Sequence, residues 1–226
     1  MSWKLDHVFF ATADADSVER ALAELGLAFT ERHVHRGQGT ANACAIFENA
    51  FFEILRPYDL EELRSDIVRP LGLSERIHWP DTGACPIGLC FRCTGADADS
   101  GSWPFETWGY EAAYVLKGTS IPIVTPAGCL ADPLVFVTAR SKSAGKVPAP
   151  PPDTPRHLGA RRTLTRVEVH RPISASVVSA GVHWFLENGF FSLKETGAHA
   201  LELELDHGRE GRSHQFQTGV PIRLRW

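Results

Sequence analysis

The sequence lacks any apolar run that approaches the roughly 18 residues a membrane-spanning helix needs. It also lacks an excess of basic charge, because 23 Lys and Arg residues stand against 27 Asp and Glu residues, for a formal net charge of -4. A chain of this kind has no general electrostatic attraction to nucleic acid or anionic lipid. We therefore expect a small-molecule ligand and neither a nucleic-acid partner nor a membrane partner. The sequence leaves open whether the chain forms a homodimer.

Cysteine is scarce, and its number is odd. The five cysteines stand mostly inside or beside apolar, strand-like runs, which predicts buried thiols instead of a disulfide framework. Cys90 and Cys93 match a Cys-x-x-Cys pattern, but neither a helix signal nor a second pair follows them, so a redox or zinc role is not indicated. The first residues lack the basic and apolar regions of a secretory signal. These absences predict a cytoplasmic protein.

The 226 residues contain a repeated pattern of strands and helices. Residues 3–56 predict a strand, a helix and three strands, because β-prone apolar runs surround a segment in which Val18, Leu22 and Leu25 have helical spacing. Residues 85–139 repeat the pattern with a degraded helix. We therefore assign residues 1–140 to paired βαβββ modules.

A proline-rich segment separates these modules from the end of the chain. Residues 141–155 contain five prolines, which favours an extended linker. Residues 156–226 again predict a strand, a helix over 173–188 and three strands, and so form a third βαβββ-like module. Because such a unit cannot bury its sheet face alone, the repeat predicts an α+β fold in which modules pair.

Two polar residues interrupt apolar strand faces in the first module. His7 and Glu53 each share a strand face with apolar neighbours. An unpaired buried carboxylate costs several kcal/mol, so Glu53 needs a cation, a metal or a proton. An imidazole and a carboxylate in one cavity can bind Zn(II), Fe(II), Mn(II) or Ni(II). The alternative is structural, with His7 as a hydrogen-bonded core histidine and Glu53 paired with an arginine.

Further polar candidates lie between these two positions. His33 and His35 share one strand face at a spacing that a metal can use, or they stand exposed on an edge strand. Thr40 and Asn42, in the glycine-rich segment 37–42, offer a hydroxyl and an amide that can hold a carbonyl or carboxylate. The alternative is that a tight turn in this segment needs glycine and asparagine for its backbone conformation, whether or not a ligand binds there.

Aromatic residues are concentrated in the second module. Trp103, Trp108 and Tyr110 stand close together in the sequence. They predict either an apolar wall of a ligand pocket or a part of the core.

Short motifs resemble the glyoxalase-like branch of the vicinal oxygen chelate superfamily. They lie at residues 5–10, 37–42, 49–55, 82–90, 103–108, 201–205 and 220–226. The resemblance implies an α+β fold in which repeated βαβββ modules form curled mixed sheets around a central cavity. It also implies a divalent metal held in that cavity by inward-facing His and Glu side chains.

The sequence departs from the family pattern in the second module. Metal-dependent members take two ligands from each of two modules. In the second module, however, Gly88 stands at the position that corresponds to His7, and residues 133–137 contain no acid. Two protein ligands alone hold a metal weakly. Either His33, His35 or another side chain completes a set of metal ligands with His7 and Glu53, or the cavity is metal-free.

The resemblance implies two classes of function. One is a metal-dependent lyase, isomerase or dioxygenase that acts on a small organic substrate, with Glu53 as the catalytic carboxylate that moves a proton. The other is a metal-free binding protein, of the kind that confers bleomycin resistance, which sequesters a small molecule without catalysis. A catalytically silent scaffold is a third alternative, outside these two classes. The expected substrate contacts in both are Thr40, Asn42, Trp103, Trp108 and Tyr110.

Overall fold

The computed structural model describes residues 2–94, 103–138, 158, 162–173, 178–215 and 220–226. In this part of the chain two mixed β-sheets, one of eight strands and one of five, carry a few short helices. The α+β fold class with curled mixed sheets is confirmed. The predicted proline-rich linker, residues 141–155, lies outside the described residues. No helix among the described residues is long and apolar enough to cross a membrane.

The first module has the predicted order of one strand, one helix and three strands. Its elements are β1 (Ser2–Ala11), α1 (Ala15–Glu24), β2 (His33–His35), β3 (Thr40–Ile46) and β4 (Phe51–Pro57). Val18 and Leu22 bury one face of α1, and Gly26, at a φ of 102°, follows the end of the helix. Before β2, in a stretch that forms no strand, the Thr30 N–H donates to the backbone carbonyl of Cys44 in β3.

The second module continues the same sheet. Its strands are β5 (Ile87–Thr94), β6 (Trp108–Tyr110), β7 (Ile121–Ile123) and β8 (Leu134–Thr138). The sheet order is β2-β3-β4-β1-β5-β8-β7-β6, with β1 and β5 antiparallel at the centre. Each half places its last strand parallel to its first, β4 beside β1 and β8 beside β5. The repeat of the first module in the second is therefore visible in the pairing as well as in the order.

Short helices connect the two modules. They are α2 (Leu60–Leu63), a 3-10 turn (Arg69–Leu71), α3 (Leu73–Ile77) and α4 (Trp79–Thr82). The Asp59 side chain caps α2 by accepting hydrogen bonds from two backbone N–H groups. α2 is one turn long.

The third segment forms the five-stranded sheet. Its elements are β9 (Leu164–Pro172), α5 (Ala180–Glu187), β10 (Ser192–Thr196), β11 (Ala200–Leu205), β12 (Ser213–Gln215) and β13 (Ile222–Arg225). The strand order is β10-β9-β11-β13-β12. The predicted helix over 173–188 is observed from Ala180 to Glu187, and residues 174–177 lie outside the described part of the chain.

The pairing in the third segment differs from that of residues 3–56. Here the strand after the helix, β10, lies parallel and next to β9, whereas in the first module β4 takes that place beside β1. Only residues 188–191 connect α5 to β10, so the chain returns directly beside β9. The longer connection after α1, residues 25–32, carries β2 to the far edge of its sheet.

The two faces of the eight-stranded sheet have different environments. The outer face, which bears Val8 and Phe10, packs with α1, α5 and the second sheet into the larger core. Phe91 stacks on Phe185 there, with ring centroids 4.4 Å apart. The inner face, which bears Phe9, packs against α2 and α3 in a smaller core. The polar candidates of the first module lie on this inner face.

Candidate functional site

His7 and Glu53 meet on the inner face of the eight-stranded sheet. β1 and β4 are parallel, and Phe9 is opposite Glu53, so His7 lies two residues further along the same face. His7 Nε2 is 3.8 Å from Glu53 Oε2, and Glu53 is only 5% exposed. The structure therefore brings together the two residues that the sequence picked out as polar interruptions of apolar strand faces.

Asp6 orients the imidazole of His7. The pairing of β1 with β5 shifts register between Leu5 and His7, and there the Asp6 Oδ2 atom lies 2.9 Å from His7 Nδ1. The other oxygen of Asp6 lies 2.7 Å from Arg92 Nη2. Burial by itself would raise the pKa of Asp6, but the hydrogen bond from His7 and the charges of His7 and Arg92 lower that pKa below its ordinary value. Because an ionised carboxylate only accepts, His7 carries a proton on Nδ1.

Asn42 holds one oxygen of Glu53. The Asn42 side-chain N–H donates to Glu53 Oε1 at 2.7 Å. Among the described residues no arginine forms an ion pair with Glu53, so the arginine-paired alternative is not what the structure has. The second oxygen, Oε2, faces His7 Nε2 at a distance too long for a hydrogen bond.

A row of hydrogen bonds continues from Asn42 towards the edge of the sheet. Asn42 Nδ2 is 3.5 Å from His35 Nε2, and His35 Nδ1 is 3.0 Å from Thr40 Oγ1. The Gln38 side-chain N–H donates to the same Thr40 oxygen at 2.8 Å. Burial lowers the pKa of His35, which the positive charges of His33 and His7 lower further and the charge of Glu53 opposes. His35 is therefore neutral at neutral pH.

Two tyrosines close the inner face from the second module. The hydroxyl groups of Tyr114 and Tyr110 both donate to Gln38 Oε1, at 2.8 and 3.3 Å. Next to this contact Gly37 approaches Ala113 so closely that a Cβ at Gly37 would lie 2.4 Å from that of Ala113. The two ends of the curled sheet thus meet, and the row from His7 to Gln38 lies beneath their contact.

The thiols around the site are poor nucleophiles. Burial raises the pKa of Cys44, and the charge of Glu53 raises it further. Burial also raises the pKa of Cys90 well above its ordinary value, with the charges of Asp6 and Glu53 acting in the same direction. Both thiols stay protonated, so neither provides a thiolate at this site.

The four-ligand metal centre that the resemblance implies does not fit the second module. β5 and β8 place Gly88 and Phe136 at the positions that correspond to His7 and Glu53. A Cβ at Gly88 would lie 2.0 Å from the ring of Phe9, so this aromatic ring fills the space above position 88. The ring of Phe136 lies edge-on to His7 at 5.4 Å. Aromatic rings therefore occupy the part of the inner face where two further ligands would be needed.

Asp6, His7 and Cys90 place one potential ligand atom each within 4.8 Å of one another. Arg92 already neutralises Asp6, and the thiol of Cys90 is protonated. This group is therefore a weaker candidate metal site than its residue types alone would indicate.

A second group of ligand-type side chains lies on the five-stranded sheet. Glu168, His170 and Glu202 are likewise within 4.8 Å of one another. Each carboxylate already has cationic partners among neighbouring arginines, which are Arg166 for Glu168 and Arg223 and Arg225 for Glu202. We interpret this group as a largely buried charge network on the five-stranded sheet.

The predicted aromatic residues do not come together in the site. Trp103 lies on the outer face, where it lines a cavity of about 720 Å³ with Trp3 and Trp184. The Trp108 indole donates to the Thr125 carbonyl and packs in the smaller core. Tyr110 alone reaches the row of hydrogen bonds, through Gln38.

Three residues of the site were missed by the sequence analysis. Asp6 directly precedes His7, and a carboxylate beside a candidate histidine is a signal that could have found it. Gln38 stands inside the segment 37–42 that was singled out for Thr40 and Asn42. Nothing local marks Tyr114, because its partner is 76 residues away.

Comparisons with solved structures show the fold. A hypothetical protein from Staphylococcus aureus matches with a TM-score of 0.58 and 11% identity, over 100% of this chain and 99% of that chain. A methylmalonyl-CoA epimerase variant from Streptomyces coelicolor matches at 21% identity and a TM-score of 0.39, over 60% of this chain and 94% of that one. The epimerase from Mycobacterium tuberculosis matches at 19% identity and a TM-score of 0.34, over 62% and 91%. Among curated proteins the sequence has no match.

The sequence also matches a family model. Residues 5–166 fit a model described as a glyoxalase-like domain. The match begins in β1 and ends in β9, so it spans both modules of the eight-stranded sheet and more than half of the chain. The chain therefore belongs to the glyoxalase-like domain family of the vicinal oxygen chelate superfamily.

Proposed function

We propose that the chain binds a small organic molecule on the inner face of the eight-stranded sheet and that Glu53 takes a proton from it. The reaction class is that of an isomerase or lyase. The observation that carries the proposal is the approach of His7 Nε2 to Oε2 of the buried Glu53 carboxylate, at 3.8 Å. The proposal extends the family membership to a reaction.

A buried carboxylate needs a proton, a cation or a hydrogen-bond donor beside it. Asp6 keeps a proton on His7 Nδ1 and so holds the ring with Nε2 towards the Glu53 carboxylate. A proton on Nε2, a cation or an acidic group of a ligand meets the need of Glu53. Asn42 fixes Oε1, which leaves Oε2 as the oxygen that can accept a proton.

The residues of this chain carry the chemistry in our proposal. With Gly88 and Phe136 at the other two ligand positions, His7 and Glu53 would hold a divalent metal only weakly. A dioxygenase reaction would need a firmly held redox metal, and two ligands do not support one. The isomerase or lyase reaction needs only a positioned base and a site that excludes water.

The surroundings of the pair support both binding and protection from water. Phe51 stacks on His7 with ring centroids 4.4 Å apart, and Phe136 adds a second apolar wall. The contact of Tyr114 with Gln38 covers the row from the side of the second module. We further propose a cytoplasmic location, because the cysteines are few and odd in number and stand mostly in or beside apolar strands, as in proteins of a reducing compartment.

Binding without catalysis is the second candidate function. It is favoured by the aromatic rings that stand where two further metal ligands would be needed. There Phe9 and Phe136 offer apolar contact to a bound molecule. A resistance-type protein would use this surface to retain its ligand.

One assay separates the two candidates. The protein is incubated in D2O with butanone, pyruvate and the S-propionyl thioester of N-acetylcysteamine, and loss of the hydrogen next to the carbonyl is followed by proton NMR. Binding is measured on the same samples by saturation transfer. Exchange above the solvent background supports the enzyme, binding without exchange supports the second candidate, and neither binding nor exchange contradicts both for these carbonyl classes.

A further inference from the structure

The outer face of the eight-stranded sheet carries a cavity that the proposed function does not use. Its volume of about 720 Å³ is in the range of small-molecule sites. Three distant parts of the chain line it, which are β1 with Trp3, the stretch before β6 with Trp103, and the end of α5 with Trp184 and Phe190. The cavity therefore exists only where α5 packs against both modules.

The aromatic rings of this cavity are inclined steeply to one another. The rings of Trp103 and Trp184 make angles of 57° and 69° with the ring of Trp3, and their centroids lie 5.3 and 6.2 Å from it. Phe190 is nearly parallel to Trp184, at 21° and 5.8 Å. Rings at such angles form a corner instead of a flat stack, so several ring surfaces border one space.

The burial of these rings is incomplete. Trp3 is only 8% exposed and rests on Phe105, so it forms the floor of the cavity. Trp103, Trp184 and Phe190 are each half-buried and leave part of their surface open to the cavity. Apolar surface that is open around a single space is typical of a binding site.

The α5 side of the cavity is electrostatically negative. The Asn188 side-chain N–H donates to the Trp184 carbonyl at 2.8 Å, so the amide offers its oxygen to a ligand. Asn188 also stands at the end of α5, where the helix dipole places partial negative charge. Among the described residues that line the cavity there is no lysine, arginine or histidine.

We infer that this cavity binds a small molecule that carries a quaternary ammonium group. The faces of aromatic rings, of tryptophan above all, attract a cation, and the alkyl groups of such a cation need apolar surface. A metal ion or a primary ammonium would lose more hydration than these few acceptors replace. An anion would meet the negative end of α5. The inference goes beyond the proposed function, because His7 and Glu53 lie on the opposite face of the sheet.

A titration with choline chloride, followed by tryptophan fluorescence and by calorimetry, tests the inference. The matched ligand is the uncharged analogue in which a tert-butyl group replaces the trimethylammonium group, and sodium chloride provides the baseline. We expect choline to bind and the analogue to bind about 10-fold more weakly, because the shape is the same and the cation–π attraction is lost. No binding of choline above the baseline, or equal binding of the two molecules, would overturn the inference.

A pair of tryptophan variants locates the binding. Trp184→Leu keeps an apolar side chain but removes a ring of the cavity, so it should weaken choline binding about 10-fold. Trp79→Leu is the matched control, because this indole packs edge-on to Phe10 away from the cavity, and it should leave the affinity unchanged. Circular dichroism checks that both variants are folded. Equal affinities of Trp184→Leu and wild type would overturn the inference.

Asn188 allows a test that does not disturb the core, because its side chain is exposed. Asn188→Lys should weaken choline binding about threefold at low salt, since it adds a positive charge beside the cation. Asn188→Gln, which keeps the amide, should stay near wild type. An affinity that is the same in Asn188→Lys and Asn188→Gln would contradict a cation bound at the end of α5.

Glu53→Gln separates this site from the inner face. Choline affinity should not change in this variant, because the sheet lies between Glu53 and the cavity. A loss of choline binding in Glu53→Gln would place the cation beside Glu53 and overturn the inference. The D2O assay decides the proposed function independently of this result.

Discussion

The ring of Phe9 fills the space above Gly88, so that a Cβ added at position 88 would lie 2.0 Å from the ring. Gly88→Ala should therefore lower the free energy of unfolding by about 1–3 kcal/mol, the usual cost of overpacking a core. Gly197→Ala is the matched control, because nothing lies within 4 Å of its Cβ position. Urea unfolding of the three proteins measures the difference. Equal stability of Gly88→Ala and wild type would show that the second module has room for a side chain there.

The replacement of two ligand positions by Gly88 and Phe136 predicts weak metal binding. Protein purified without a His-tag or chelator should contain well below one divalent metal atom per chain, because His7 and Glu53 alone hold a metal weakly. Elemental analysis measures the content, and His7→Asn provides the baseline. A full atom per chain in wild type that disappears in His7→Asn would mean that the family metal is held after all.

The low pKa of Asp6 predicts a pH-dependent contribution to stability. Its folded-state pKa lies below the unfolded value of about 4, so the stabilisation is complete above that pH and is lost as the pH falls through the folded value. Asp6→Asn should lower the free energy of unfolding by about 1–3 kcal/mol at neutral pH. The difference from wild type should shrink below about pH 4.

Urea unfolding at several pH values checks this prediction. Asp66→Asn is the control, since Asp66 is 88% exposed and pairs only with Arg69 at the surface. A loss in Asp6→Asn that stays constant down to pH 3, or a loss as large in the control, would contradict the assigned role of Asp6.

Arg76 is expected to be a structural residue. It is 0% exposed, and its guanidinium donates hydrogen bonds to the backbone carbonyls of Leu71, Cys85, Cys129 and Asp132. Arg76→Met should lower the free energy of unfolding by about 2–4 kcal/mol, because buried carbonyls lose their donor. Arg69→Met, at an exposed position, should change it little. Similar thermal melts for the two variants would refute this account of the region between the modules.

The first module could be predicted from the sequence because its signals are local. Apolar alternation and helical spacing are properties of neighbouring residues, and they predicted the order of β1, α1 and the three strands that follow. The same alternation put His7 and Glu53 on apolar faces, and parallel pairing of the first and last strands then brought them together. Family membership, inferred from short motifs, was confirmed by the match over residues 5–166.

The remainder depends on contacts between distant residues. The place of β10 beside β9 follows from a short connection after α5, which strand propensity does not encode. The Tyr114 contact to Gln38 joins residues 76 positions apart, and the Phe9 ring above Gly88 requires the register of β1 against β5. Apolar alternation likewise does not predict the register shift at Asp6, although this shift brings the Asp6 carboxylate into contact with His7. Sequence patterns therefore identified the polar centre of the site but not the residues that orient it.

Glu53→Gln tests the central claim most directly. The variant keeps the size of the side chain and an acceptor for Asn42 but removes the charge, so the free energy of unfolding should stay within about 1 kcal/mol of wild type or increase. Carbonyl-dependent deuterium exchange should fall by about 100-fold or more, the usual contribution of a general base. Glu48→Gln, in an exposed connection on the same sheet, should leave both quantities unchanged. A large loss of stability in Glu53→Gln, with exchange per folded molecule unchanged, would contradict the role of Glu53 as the base.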